Sequence, residues 1–147
     1  MATNSRTFAV TREAVWRVLV DGRAYSSWVV GTSTIRGVDG DWPAVGSRLH
    51  YRVGRGWLRH DGHTEVLSVD EGECLELEAH AWPLGTARIE IRLADAPGGG
   101  CAVSMVEHPA QGSAATLHNP IGDGLLKLRN VEALRRLERV ARRGAGQ

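Results

Sequence analysis

The chain has 147 residues, of which 42% are hydrophobic and 24% are charged, and its formal net charge is +1. This length suits one domain with its own hydrophobic core, so we expect a single domain over residues 1–147. The nearly balanced charge argues against a nucleic-acid partner, and no apolar run reaches the roughly 18 residues that predict a membrane span. The first ten residues lack the pattern of a secretion signal, which favours a cytoplasmic location.

The N-terminal part of the sequence predicts one strand followed by two short helices. The strand is expected over Ser5–Val10. Thr11 is a suitable N-cap for the first helix, because its hydroxyl can accept a hydrogen bond from a free amide of the first turn. A second short helix is expected over Arg23–Val29, and Gly31 ends it.

From residue 32 to residue 108 the apolar residues alternate with polar ones, which is typical of strands. We predict strands over Thr34–Val38, Arg48–Val53 and Leu58–Val69, and three more around residues 75–81, 87–93 and 103–108. The facing of Leu58–Val69 stays open, with a bulge considered at Gly62. One apolar and one charged face predict an antiparallel sheet that is covered on one side, and the short loops predict a meander.

The last long element, Asn119–Arg143, predicts one amphipathic helix that covers the apolar face of the sheet. Asn119 is a strong N-cap, and Pro120 suits the first helical position. Gly144 is expected to end the helix, which leaves residues 144–147 as a flexible tail. At 1.5 Å per residue, about 24 residues would cross the whole sheet.

Two polar residues interrupt the apolar face of this helix. Asn130 lies between Leu126 and Ala133 on that face, and Arg129 lies at its edge. Polar groups that point towards the sheet indicate a cavity between sheet and helix in place of a solid core.

The order of one strand, two short helices, six strands and a long C-terminal helix is that of the helix-grip fold. The segments that resemble a known family are Val15-Trp16, Leu19, Asp21, Tyr25, Trp28, Asp41-Trp42-Pro43, Gly46-Ser47, Ala81 to Gly85, Glu107 to Pro109 and Leu125 to Asn130. Through these segments, nearly the whole chain resembles the SRPBCC (START/Bet v 1-like) superfamily, in its polyketide cyclase/dehydrase branch.

This resemblance implies an α+β fold in which a curved antiparallel sheet of six to seven strands wraps around the long C-terminal helix. Such domains leave an elongated, mostly apolar cavity between the sheet and the helix. Members of the superfamily range from carriers of lipids and hormones to aromatic polyketide cyclases, so the resemblance points to a fold more than to one activity.

Glu107 is the first candidate for a functional residue. By strand alternation it shares a face with Val103 and Met105, so it should point towards the covering helix. A buried carboxylate needs a partner, which Arg129 or Asn130 could supply. The group can serve as a polar anchor for a ligand, as an acid or base, or only as a structural ion pair, and the sequence leaves these interpretations open.

Other candidate residues for the cavity wall are large side chains near the predicted apolar face: Trp28, Tyr51, Trp82, Met105 and Leu126. The hydroxyl of Tyr51 would need a partner if it is buried. Aromatic and methionine side chains at strand spacing are also typical of an ordinary core.

Motifs for metals and nucleotides are weak or missing in the sequence. His60 and His63 lie three apart, so on a regular strand they face opposite ways, and no third ligand is near in sequence. Cys74 and Cys101 do not form a CxxC pair. The sequence also lacks the dinucleotide and phosphate-binding glycine motifs, so no metal and no cofactor is predicted.

The sequence thus favours a protein that binds a hydrophobic or aromatic small molecule, of lipid or polyketide type, in an internal cavity. The alternative is a polyketide cyclase or dehydratase that uses Glu107 together with Arg129 and Asn130. A closed interior would instead indicate a protein that binds another protein. A homodimer through the exposed sheet edge is compatible with the sequence.

Overall fold

Seven strands form one antiparallel sheet in the computed structural model, which describes residues 2–54, 57, 59–81, 85–111 and 120–145 and, for residues 2, 81, 109–111 and 120–126, the chain trace alone. The strands are β1 Ala2–Phe8, β2 Thr32–Asp39, β3 Arg48–Val53, β4 His60–Asp70, β5 Cys74–Ala81, β6 Gly85–Ala96 and β7 Gly100–Gln111. Their order in the sheet is β1-β7-β6-β5-β4-β3-β2. The chain is therefore a meander from β2 to β7, as the sequence predicts, and β1 pairs with β7.

Two short helices follow β1. The first, α1, spans Arg12–Leu19, and the hydroxyl of Thr11 caps it by accepting a hydrogen bond from a first-turn amide. The second predicted helix, Arg23–Val29, consists of a 3₁₀ turn over Gly22–Ala24 and a short helix α2 over Tyr25–Trp28. The predicted cap is therefore confirmed, and the predicted second helix is shorter than expected.

The C-terminal helix, α3, spans Pro120–Ala145, and its 26 residues give a length of about 39 Å. It continues past Gly144, so the prediction that Gly144 ends the helix is wrong, and the predicted cap Asn119 lies outside the described residues. The helix packs against α1, α2 and β1. Among the side chains that the structure describes, from residue 127 onwards, the buried ones are Asn130, Ala133, Leu134, Leu137, Glu138 and Ala141.

Strand β4 presents Gly62, Thr64 and Val66 to the core, while His63 and Glu65 lie on the outer face. The pairing of β4 with β5 shifts between Val66 and Ser68, so the inward pattern changes there. The predicted bulge at Gly62 is wrong, because Gly62 pairs regularly with both neighbouring strands.

A buried carboxylate ties α3 to the end of β1. Glu138 accepts hydrogen bonds from Arg6 Nε and from the backbone amide of Ala9, each at 2.9 Å. Because the Ala9 amide bonds to this side chain, β1 ends at Phe8 and does not reach Val10 as predicted. Burial alone raises the pKa of Glu138, but the amide of Ala9 and the guanidinium of Arg6 outweigh burial and lower that pKa.

Replacing Glu138 with glutamine is expected to lower the free energy of unfolding by about 2 kcal/mol at neutral pH, since hydrogen bonds to a charged group contribute about 1.5–3 kcal/mol. A folded-state pKa below the unfolded value of about 4.3 stabilises the protein above that value, and this contribution is lost as the pH falls through the folded pKa. Urea unfolding of both proteins at neutral pH and near pH 3 measures the difference. A difference that does not shrink at low pH would contradict this role.

No helix in the part of the chain that the structure describes is long and apolar enough to cross a membrane.

Candidate functional site

An ion pair joins the sheet to the covering helix. Glu107 lies on the same face of β7 as Val103 and Met105 and is only 4% exposed. From α3, the Nη2 atom of Arg129 lies 2.6 Å from each oxygen of that carboxylate. The predicted facing of Glu107 and its predicted pairing with Arg129 are therefore confirmed, while any role in binding or catalysis stays a prediction.

Asn130 is buried on the apolar face of α3, where the sequence predicts it. The residue is 2% exposed, and its side-chain Nδ2 has no hydrogen-bond partner among the described residues. One turn further along, Ala133 and Leu134 continue the same buried face. An amide donor is thus enclosed by apolar groups, and such a group costs stability unless something accepts its hydrogen bond.

Tyr51 on β3 is buried, and its hydroxyl is paired. Its hydroxyl lies 2.8 Å from the hydroxyl of Thr64, so the predicted need for a partner is confirmed. Burial raises the pKa of Tyr51, and the hydrogen bond with Thr64 and the positive charge of Arg129 partly oppose this rise.

Thr64, the partner of Tyr51, is a buried polar residue that was not among the predicted site residues. The sequence contains a pattern that could place it inward, because Gly62, Thr64 and Val66 alternate with His63 and Glu65. The shift of pairing near Ser68 hides this alternation further along the strand.

The hydroxyls of Tyr51 and Thr64 are expected to be energetically coupled. Tyr51→Phe leaves the buried Thr64 hydroxyl without its partner and should lower the free energy of unfolding by about 1–2 kcal/mol. Adding Thr64→Val removes the unpaired group, so the double variant should lose less than the sum of the two single variants. A double-mutant cycle by urea unfolding tests this, and strict additivity would contradict a coupled pair.

Trp28 reaches the buried interior from α2. It is 3% exposed, and its ring centroid lies 4.8 Å from that of Tyr25. Its indole Nε1 has no hydrogen-bond partner among the described residues, whereas the Nε1 of Trp42 donates to the carbonyl of Leu19 at 3.1 Å. Since α2 packs against α3, both unpaired donors, on Trp28 and Asn130, belong to elements in contact.

Three more residues were predicted to line the cavity: Met105, Leu126 and Trp82. Met105 is buried in the hydrophobic core, on the face of β7 that carries Glu107. Leu126 lies in α3, but its side chain is outside the described residues, and Trp82 is outside them altogether. Their contribution to a cavity wall stays a prediction.

Two surface depressions lie away from the interface of sheet and α3. One, with a volume of about 520 Å³, is lined by outer-face residues of β1, β6 and β7 such as Thr7, Ala94 and Ser104. The other, about 500 Å³, lies beside Trp16 of α1 and the turn at Gly72. Neither corresponds to the predicted internal cavity, which stays a prediction.

The histidines of the outer sheet face stack against one another. The ring centroids of His63 and His80 are 4.5 Å apart, and those of His50 and His63 are 5.9 Å apart. Among the described residues, no three histidine, cysteine or acidic side chains are arranged to hold a metal ion. Cys74 and Cys101 are free thiols.

Known proteins share both the sequence pattern and the fold. The sequence profile of the family described as polyketide cyclase / dehydrase and lipid transport matches residues 2–142. Among curated proteins, none matches this sequence significantly.

Solved structures of similar shape are distant in sequence. NE0264 from Nitrosomonas europaea is 16% identical, with a TM-score of 0.72 over 99% of this chain and 96% of its own. A conserved protein from Geobacillus kaustophilus is 16% identical, with a TM-score of 0.75 over 96% and 94%. Ara h 8.0201 is 13% identical, with a TM-score of 0.71 over 95% of both chains. By its profile match and its helix-grip fold, the chain belongs to the polyketide cyclase/dehydrase and lipid transport family of the SRPBCC (START/Bet v 1-like) superfamily.

Proposed function

We propose that this protein binds a hydrophobic or aromatic small molecule, of lipid or polyketide type, between the concave face of the sheet and α3. The observation that carries the proposal is a group of buried polar side chains set into an apolar interior, together with the half-exposed Arg129 that pairs with one of them. The buried members are Tyr51, Thr64, Glu107 and Asn130. Ligand sites in proteins are mostly apolar, with a few polar groups that fix the orientation of the ligand.

The energetic cost of this group supports the proposal. An ion pair that contains a buried charge seldom stabilises a protein more than apolar residues of similar volume would, because the buried charge loses its hydration. Glu107 and Arg129 are therefore poorly explained by stability alone. Arg129 keeps 40% of its side chain exposed, so its remaining N–H groups can reach a further acceptor.

Native mass spectrometry of the purified protein tests this function. We expect either a co-purifying apolar compound or a one-to-one complex with an added probe, for which we suggest palmitic acid and 9-fluorenone. The absence of any bound compound, together with a dissociation constant weaker than about 1 mM for both probes, would overturn the proposal.

An enzyme that cyclises or dehydrates a polyketide is the second candidate, and the description of the family favours it. In such an enzyme Glu107 would move a proton, while Arg129 or Asn130 would polarise a carbonyl of the substrate. The contacts of Arg129 with both oxygens of Glu107 make this role less direct, because the carboxylate must first leave its partner. Turnover of an aromatic poly-β-ketone that is lost in Glu107→Gln would favour the enzyme over the carrier.

A further inference from the structure

Two buried N–H donors in this protein have no acceptor among the described residues. They are the side-chain amide of Asn130 on α3 and the indole of Trp28 on α2, which are 2% and 3% exposed. Other polar groups of this interior are paired, since Tyr51 bonds to Thr64 and Glu107 to Arg129. A third buried atom without a partner among the described residues, Oδ1 of Asn4 on β1, is an acceptor, while the Nδ2 of that side chain donates to the carbonyl of Lys127 on α3.

Packing alone does not account for these donors. A buried polar group without a partner is destabilising, and phenylalanine or leucine could fill the same positions without it. The chain does satisfy a partly buried indole elsewhere, because the Nε1 of Trp42 donates to the carbonyl of Leu19. A role in binding explains why Trp28 and Asn130 offer hydrogen bonds that nothing in the described protein accepts.

We propose that the ligand presents a carbonyl oxygen, such as that of a ketone or quinone, to the N–H groups of Asn130 and Trp28. The inference rests on the proposed function, and it adds the class of ligand. A carbonyl oxygen has two lone pairs and no proton, so it fits a site that offers donors.

Two probes of nearly the same shape distinguish the carbonyl inference from the proposed function on which it rests. 9-Fluorenone carries one carbonyl, and fluorene is the corresponding hydrocarbon. By calorimetry on the wild-type protein, we expect fluorenone to bind at least about tenfold more tightly, which corresponds to one or more good hydrogen bonds. Equal binding of the two probes would overturn the carbonyl inference and leave the proposed function standing. If neither probe binds, both fail for aromatic ligands.

Variants of Asn130 and Trp28 test whether these two donors cause the preference for fluorenone over fluorene. Asn130→Leu and Trp28→Phe are each expected to weaken fluorenone binding by about tenfold while fluorene binding stays within about twofold. Asn130→Leu should not lower the melting temperature of the free protein, since it removes an unpaired buried donor. Trp28→Phe also removes ring volume from the core, so a modest drop in melting temperature is expected for that variant. Asn130→Ala serves as a second variant if the leucine does not fit. A fluorenone preference that survives in both donor variants would overturn the assignment.

The matched control is Trp42→Phe, which removes an indole N–H that is already satisfied by the Leu19 carbonyl. This variant should lower the melting temperature and keep the preference for fluorenone. If it abolished the preference as strongly as Trp28→Phe does, the effect would stem from general loosening of the aromatic cluster and the inference would be wrong.

Discussion

Replacing Arg129 with methionine is expected to lower the free energy of unfolding by about 3–5 kcal/mol, because it leaves the buried carboxylate of Glu107 without its partner. Glu107 is 4% exposed, so water cannot take the place of the guanidinium. The reverse variant should be milder. In Glu107→Gln the half-exposed Arg129 can be hydrated, and we expect a loss of about 1 kcal/mol.

The double variant, which combines Arg129→Met with Glu107→Gln, tests whether the unpaired charge causes the loss of stability. Once Arg129 is methionine, changing Glu107 to glutamine removes the uncompensated charge, so the double variant should be more stable than Arg129→Met alone. Urea unfolding of the four proteins measures this. If Glu107→Gln lowered stability further in the Arg129→Met background, a buried unpaired charge would not be the cause of the loss.

Replacing Gly62 with alanine is expected to cost up to about 3 kcal/mol through overpacking. A Cβ atom at this position would lie 2.8 Å from Cε2 of Tyr51 and 3.0 Å from the carbonyl oxygen of His80. The backbone of β5 cannot yield easily, so the Tyr51 ring must move. Its hydroxyl would then lose the contact with Thr64, and ligand binding should weaken together with stability.

Gly37 offers the matched control for this substitution. It also lies inside a strand, β2, but a Cβ atom there would meet nothing within 4 Å. Gly37→Ala should therefore leave stability unchanged or raise it by about 0.5–1 kcal/mol, because alanine loses less backbone entropy on folding than glycine does. Equal losses in the two alanine variants, measured by thermal unfolding, would contradict a specific contact between Gly62 and Tyr51.

Local patterns in the sequence predict correctly those features that depend on a single strand or a single helix, such as the bounds of β3 and the facing of its side chains. The alternation of Arg48–Val53 predicts β3 with its observed bounds, and it places Tyr51 towards the core. The same rule places Glu107 inward on β7. The helical spacing places Asn130 on the buried face of α3 and Arg129 at its edge, where it reaches Glu107.

Features that depend on contacts between distant elements were harder to predict. The end of β1 is set by Glu138, a residue on α3 that bonds to the Ala9 amide. The pairing shift near Ser68 obscures the facing of Thr64. Among the described residues Trp28 has no acceptor, while Trp42 donates to the Leu19 carbonyl. This difference depends on which backbone carbonyl lies near each ring, and sequence periodicity carries no information about that distance.

Three pairs of polar groups characterise the interior: an ion pair between β7 and α3, a hydroxyl pair between β3 and β4, and two N–H donors on α2 and α3. The ion pair and the hydroxyl pair are satisfied within the protein, whereas the two donors have no acceptor among the described residues. This difference makes ligand binding a more economical explanation of the site than stability alone.

The most direct test of the account is methyl NMR of the protein labelled at the methionine methyl groups during titration with 9-fluorenone. The sequence contains two methionines, Met1 and Met105, and Met105 is buried on the face of β7 that carries Glu107. We predict a saturable shift of the Met105 methyl signal and nuclear Overhauser contacts between that methyl group and the fluorenone ring. Saturable binding that leaves the Met105 methyl signal unchanged, with shifts confined to residues such as Ala94 and Ser104 of the outer-face depression, would contradict a site between the sheet and α3.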